Sequence, residues 1–157
     1  MIHRIEIWPQ PGRSDPHAAG IAAQGREMGA SGIADVRSAR LFFVQGDLTA
    51  DQVKRLGAEL LADPVTEQAV IGASKDTGAA AVVEVHLKPG VMDPVAASAE
   101  KAARDMGLPV EAVRTARRYV FQGTLTDKQR DVLTRRLLAN AVIEDVYDHA
   151  HTPAEQD

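Results

Sequence analysis

The pattern of apolar and polar residues runs through the same series of elements twice, and the second half shows it more clearly. Residues 81–87 are rich in β-branched side chains and predict a strand. A Lys-Pro-Gly turn follows, and Asp93 and Pro94 then suit the N-cap and first position of a helix. Apolar residues recur at helical spacing as far as Met106, and Gly107 is a natural helix end.

A long strand is predicted next, roughly from Ala112 to Leu125. Its alternate residues, which include Arg117 and Tyr119, share one face of the sheet. The sequences 126–129 and 49–52 are capping boxes, each of which opens a second helix. Residues 142–147 and 67–71 then predict third strands. Each half is therefore expected to be a β-α-β-α-β unit of the α+β class, with its helices on one face of a mainly antiparallel sheet.

The two halves are copies of one another. Residues 4–29 and 82–107 are identical at 10 of 26 aligned positions. Residues 36–67 and 113–144 are identical at 15 of 32. The identical positions include Pro-Gly, Asp-Pro, Met-Gly, Gln-Gly and Leu-Thr pairs in the same order. Two repeats are too few for a solenoid and instead suggest a homodimer fused into one chain with a pseudo-twofold axis.

The repeat gives the expected organisation of the chain. Residues 1–72 form the first unit, 73–80 a flexible linker, 81–148 the second unit and 149–157 a polar, frayed tail. A unit of this size buries little core by itself, so we expect the two units to pack together through sheet or helix faces.

Composition narrows the possible functions. The net charge is -4 and there is no basic run, which argues against binding of nucleic acid. The chain has no cysteine, which excludes disulfides, thiolate chemistry and zinc sites based on cysteine. No apolar run approaches the roughly 20 residues that span a bilayer, and a cytoplasmic location is expected.

Few residues suggest chemistry. His149 and His151 could bind a metal, but no third ligand lies nearby and the pair falls in the polar tail. Asp15 and Asp93 could be paired carboxylates across the pseudo-twofold axis, although each already suits the N-cap of a helix. The glycine-rich phosphate motifs and the common hydrolase motifs do not occur. We therefore expect no catalytic residue, cofactor site or metal site, and no catalysis by this chain alone.

A mixed arginine and aromatic pattern repeats at the same point of the long strands. It consists of Arg40 and Phe42 in one copy and Arg117, Arg118 and Tyr119 in the other. Such a face often marks a protein interface. The alternatives are a solvated strand face for the arginines and a core position for the aromatic residues.

The second unit resembles the PurS family, the small subunit of phosphoribosylformylglycinamidine synthase in purine biosynthesis. The resemblance rests on residues 83–94, on Val113-Arg114 with Arg118-Tyr119, and on residues 137–145, which read LLANAVIED. Arg118 replaces a lysine of the family pattern, the glycine of that pattern is absent, and Ala141 replaces a proline. Residues 2–72 are similar to the family more loosely.

The resemblance implies a tandem-fused pair that is similar to the PurS dimer. It implies a non-catalytic assembly module that holds a PurL-like synthetase and a PurQ-like glutaminase together for ammonia transfer, either as a separate subunit or within the same polypeptide. ATP and Mg would then be used by the synthetase partner and not by this chain.

A tandem ACT-like regulatory domain that binds a small molecule, such as an amino acid, is the alternative. ACT units have two strands between their helices, whereas the 18 residues between Gly107 and Thr126 contain no tight-turn signal for a hairpin. A purely structural dimerisation domain is a third possibility.

Overall fold

The computed structural model describes residues 1–156 and divides them into two units of the same element order. The first unit contains β1 (Ile2–Pro9), α1 (Pro16–Glu27), β2 (Ile33–Gly46), α2 (Ala50–Arg55) and β3 (Glu67–Ile71). The second contains β4 (Ala81–Leu87), α3 (Pro94–Asp105), β5 (Val110–Gly123), α4 (Asp127–Leu133) and β6 (Glu144–Tyr147). The predicted α+β class and the repeated unit are confirmed.

The starts of the helices are set by the predicted side chains. Asp15 and Asp93 accept hydrogen bonds from the amides of Ala18 and Ala96, at 3.1 and 3.0 Å. The capping boxes that begin at Thr49 and Thr126 are both complete. Because each cap satisfies amides that the first helical turn leaves unpaired, the four helices begin where the sequence predicts.

The second helix of each unit ends in a wider, π-helical turn, over Leu56–Leu61 and Thr134–Leu138. The amide of Ala62 donates to the carbonyl of Gly57 and that of Ala139 to Thr134, five residues back in both cases. The third strand of the second unit begins at Glu144 rather than at Val142. Asn140 holds the intervening residues in a turn, since its carbonyl oxygen accepts from the amides of residues 143 and 144.

We expected the two units to pack through sheet or helix faces. The structure shows instead that they join edge to edge. The strands form one six-stranded antiparallel sheet in the order β3-β1-β2-β5-β4-β6, in which β2 pairs with β5 at the centre. Arg40 lies opposite Arg117, which is its own equivalent in the repeat. The pseudo-twofold axis therefore passes between these two residues.

The helices lie on one face of this sheet and form two apolar cores, each of which uses both units. Ala18 and Ile21 of α1 pack with Leu133 and Leu138, which follow β5 in the second unit. In the other core, Ala103 of α3 packs with residues of β1, β2 and α2 of the first unit. Neither core is complete within one unit, which explains physically why the two occur as a pair.

The opposite face of the sheet is covered by the linker and the tail. Ser74 donates its amide to Glu6 at 3.3 Å, and Asp76 forms an ion pair with Arg118 at 2.7 Å. From the tail, the amide of His151 donates to Glu84 at 3.0 Å. The segments that the sequence suggested would be flexible or frayed are thus held by buried charged groups of the sheet.

Candidate functional site

The arginines at the pseudo-twofold axis each bond within their own unit. Arg117 donates to both carboxylate oxygens of Glu144, at 2.5 and 3.1 Å, and to the carbonyl of Leu138 at 2.5 Å. Arg40 makes the equivalent bonds to Glu67, at 2.8 Å, and to the carbonyl of Leu61, at 3.1 Å. A cation placed at the last carbonyl groups of a helix is electrostatically favourable.

Each of these glutamates also fixes the turn before the third strand. Glu144 accepts the amide of Asn140 at 2.8 Å, and Glu67 accepts that of Asp63 at 2.9 Å. Burial alone would raise the pKa of Glu144, but the hydrogen bonds from Arg117 and from the amide of Asn140 hold it below its normal value. The arrangement anchors the end of the second helix to the centre of the sheet in both units.

The aromatic residues of the repeated pattern belong to the core. Phe42 and Tyr119 are 3% and 2% exposed, and each packs in one of the two cores under the helices. The Tyr119 hydroxyl bonds to the Nε2 of His17 at 2.9 Å and accepts from Arg117 at 3.1 Å. Burial raises the pKa of Tyr119. In this conformation, these two rings are not available to a partner.

Arg118 lies on the opposite face of the sheet, in a buried cluster of charges. It forms ion pairs with Glu84 at 2.6 Å and with Asp76 at 2.7 Å. Glu84 also bonds to Arg4, which pairs with Glu6 at 2.8 Å. Both glutamates are fully buried, so their charges are satisfied by these partners and not by solvent.

The pKa of Glu84 reflects its place in this buried charge cluster. Burial would raise it, but hydrogen bonds from His86, Arg4 and the amide of His151 lower it to about 2. Burial acts on Arg118 in the opposite direction, and the bonds to Asp76 and Glu84 nevertheless raise its pKa above the normal value. Both groups therefore stay charged over the physiological range of pH.

Of the two histidines singled out in the tail, His151 stacks on this face, whereas His149 is mostly exposed. The His151 ring lies parallel to Tyr147, with centroids 3.7 Å apart, and its edge meets His86 at 5.0 Å. Burial and the nearby His86 and His149 lower the pKa of His151. Within residues 1–156, no three histidine, aspartate or glutamate side chains are grouped as metal ligands. No sequence pattern predicts this stack, because it depends on how the tail crosses the sheet.

Asp15 and Asp93 do not meet across the axis. Asp93 caps α3 with one oxygen and with the other accepts the amide and hydroxyl of Thr115, both at 2.9 Å. Asp15 makes the same bonds to Ser38, at 3.1 and 2.9 Å. Each carboxylate joins a helix to the long strand of its own unit, so the paired-carboxylate alternative does not hold.

The geometry as a whole defines a duplicated α+β module in which the repeated polar residues are used to build the fold. No helix in residues 1–156 is long and apolar enough to cross a membrane. The family model of PurS, described as phosphoribosylformylglycinamidine (FGAM) synthase, matches residues 3–75 and again 80–150. The chain therefore belongs to the PurS family, as a tandem pair, and its role is tied to FGAM synthase in purine biosynthesis. A search of curated proteins finds no match to the chain.

The docking role of Arg40, Phe42, Arg117, Arg118 and Tyr119 stays a prediction, as do the unit boundaries at residues 72, 80 and 148. Among the five residues, Arg40 is the most exposed, at 51%, and Arg117 follows at 37%. Their side chains are already used within the chain, so a partner would have to compete with these internal bonds.

Proposed function

We propose that the chain is a non-catalytic assembly module of FGAM synthase, which holds the ATP-dependent synthetase and the glutaminase together for ammonia transfer. The observation that carries the proposal is the double match to the PurS family on the two halves of one continuous sheet. ATP and Mg would be bound by the synthetase partner, whether that partner is a separate subunit or part of the same polypeptide.

The construction of the module suits a scaffold. Its two cores are shared between the units, and its polar residues are engaged in caps, turns and buried ion pairs. A rigid body with two related ends can contact two proteins at a fixed separation. It would raise the local concentration of ammonia at the synthetase, an advantage that is lost when the partners separate.

The long strand also bears on the ACT-like alternative. Residues between α3 and α4 form the single strand Val110–Gly123, without the hairpin that an ACT unit would require. The structure thus offers no specific observation that favours an amino-acid-binding domain.

The experiment is to reconstitute synthetase and glutaminase with and without residues 1–157 and to assay both nitrogen sources. Loss of glutamine-dependent synthesis with retention of ammonia-dependent synthesis is expected, because free ammonia at high concentration bypasses delivery. Equal loss of both activities would mean that the module supports the synthetase itself, and no loss of either would refute the proposal.

A further inference from the structure

The two halves differ at the outer surface beside the last strand of each unit. In the second unit this surface, which we name the β6 surface, consists of Arg135, Arg136, Val142, Ile143 and Val146. Val142 is 82% exposed, while Ile143 and Val146 are 39% and 40% exposed. Large apolar side chains so far out of the core are costly to leave in water and often mark a contact surface.

Two residues of the β6 surface line one cleft, and the other three lie close to them in the chain. Arg135 and Val146 line the same open cleft of about 610 Å³ between α4 and the edge of the sheet. Val142 and Ile143 directly precede β6, and the carbonyl of Ile143 accepts the amide of Lys88 at 2.8 Å. This bond attaches the turn before β6 to the turn after β4, and so fixes Ile143 beside the edge of the sheet.

The two arginines of the β6 surface have no carboxylate of their own among the described residues. Asp131 and Asp148 line the same cleft as Arg135, but Asp131 is paired with Arg130 at 3.5 Å and Asp148 with His149 at 2.9 Å. Arg135 and Arg136 are exposed, and neither forms an ion pair with a carboxylate in residues 1–156. By contrast, Arg40 and Arg117 at the axis are both paired. The two adjacent arginines therefore leave this part of the surface positively charged, although the net charge of the chain is -4.

The first unit lacks this combination at every equivalent position but one. Ala58 and Glu59 stand for the two arginines, Thr66 for Ile143 and Ala69 for Val146, and Val65 alone matches. Glu59 is paired with Arg55 at 2.9 Å. Since a fused pair is free to diverge at one end, the difference singles out the second unit.

We propose that the β6 surface docks an acidic segment with apolar side chains on the synthetase–glutaminase complex. The arginines complement its carboxylates and give orientation and association rate, while the three apolar residues supply the buried contact. The chain thereby binds that partner once and through its second unit only. This inference rests on the proposed assembly function and names the surface that would carry it.

The test measures binding of residues 1–157 to the reconstituted complex at two salt concentrations. Arg135→Glu/Arg136→Glu should weaken binding by about tenfold or more, and Val142→Asp should do the same with the arginines intact. Arg13→Glu/Lys54→Glu, which makes the same change of net charge at exposed unpaired cations of the first unit, should change binding less than about twofold. Unfolding by urea checks that all variants keep the wild-type stability, as their exposure predicts.

The outcomes separate this inference from the proposed function. If the wild-type chain binds and its affinity falls with salt, while the Arg135→Glu/Arg136→Glu variant binds weakly, the β6 surface is the docking site. If the wild type binds and both β6 variants bind equally well, the surface is wrong although the assembly function stands. If the wild-type chain does not bind at all, both are wrong.

Discussion

Since the duplication, the two faces of the sheet have diverged to different extents. On the helix-covered face, the repeat is retained in detail, so that Phe42 corresponds to Tyr119, and the ion pair of Arg40 with Glu67 to that of Arg117 with Glu144. On the opposite face some equivalent residues are identical, such as Glu6 with Glu84 and Ala39 with Ala116, but others differ in charge, since Arg118 stands where the first unit has Leu41. Packing against helices fixes the shape of a side chain. The irregular segments on the opposite face instead cover a mixture of buried charges and of apolar residues such as Trp8 and Phe43.

The largest expected effect lies on the opposite face. Glu84→Leu leaves Arg4 and Arg118 buried with fewer carboxylates, and removal of one partner from a buried ion cluster costs about 3–5 kcal/mol. Urea unfolding of the variant measures the loss. Glu59→Gln, which breaks an exposed pair, is the control and should cost less than about 1 kcal/mol. Equal losses in the two variants would show that the buried cluster contributes no more to stability than an exposed ion pair.

Acid should destabilise the protein through the same residue. The pKa of Glu84 falls from 4.5 to about 2 on folding, so its contribution is complete above pH 4.5 and is lost as the pH falls towards 2. The expected loss is on the order of 3 kcal/mol, measured as the pH dependence of the free energy of unfolding. Glu84→Gln should flatten the curve in this range, and an unchanged curve in that variant would assign the acid sensitivity elsewhere.

The smallest effect tests the symmetry of the helix-covered face. Asp15→Ala and Asp93→Ala each remove a helix cap and the bonds to the long strand, which should cost about 1–2 kcal/mol in each case. Thermal or urea unfolding of both single variants gives the comparison. A difference between them of more than about 1 kcal/mol would mean that the two ends of the repeat are no longer energetically equivalent.

Local signals were sufficient for the helix-covered face. The caps at Asp93 and Thr126, the stop at Gly107 and the alternation of the long strand act within a few residues, and the structure follows them closely. The edge-to-edge joining of β2 and β5 was not predictable from such signals. The apolar pattern of a strand indicates which face is buried, but not which other strand pairs with it.

The opposite face could not be foreseen for a related reason. The ion pair between Asp76 and Arg118 joins residues 42 positions apart, and the contact of His151 with Glu84 joins residues 67 apart. Polar residues in a glycine-containing linker and in a tail have the composition of solvated segments. These linker and tail residues find partners only because the fold places buried charged side chains on the sheet beneath them.

The linker between the two units is not what holds the folded halves together. Because β2 and β5 pair along the centre and each core draws on both units, a single cut near Lys75 should leave two fragments associated as a complex. The peptide connection then acts as a tether, which keeps each half at an effective concentration of roughly millimolar near the other. It also fixes the stoichiometry, because each chain always carries one half of each kind.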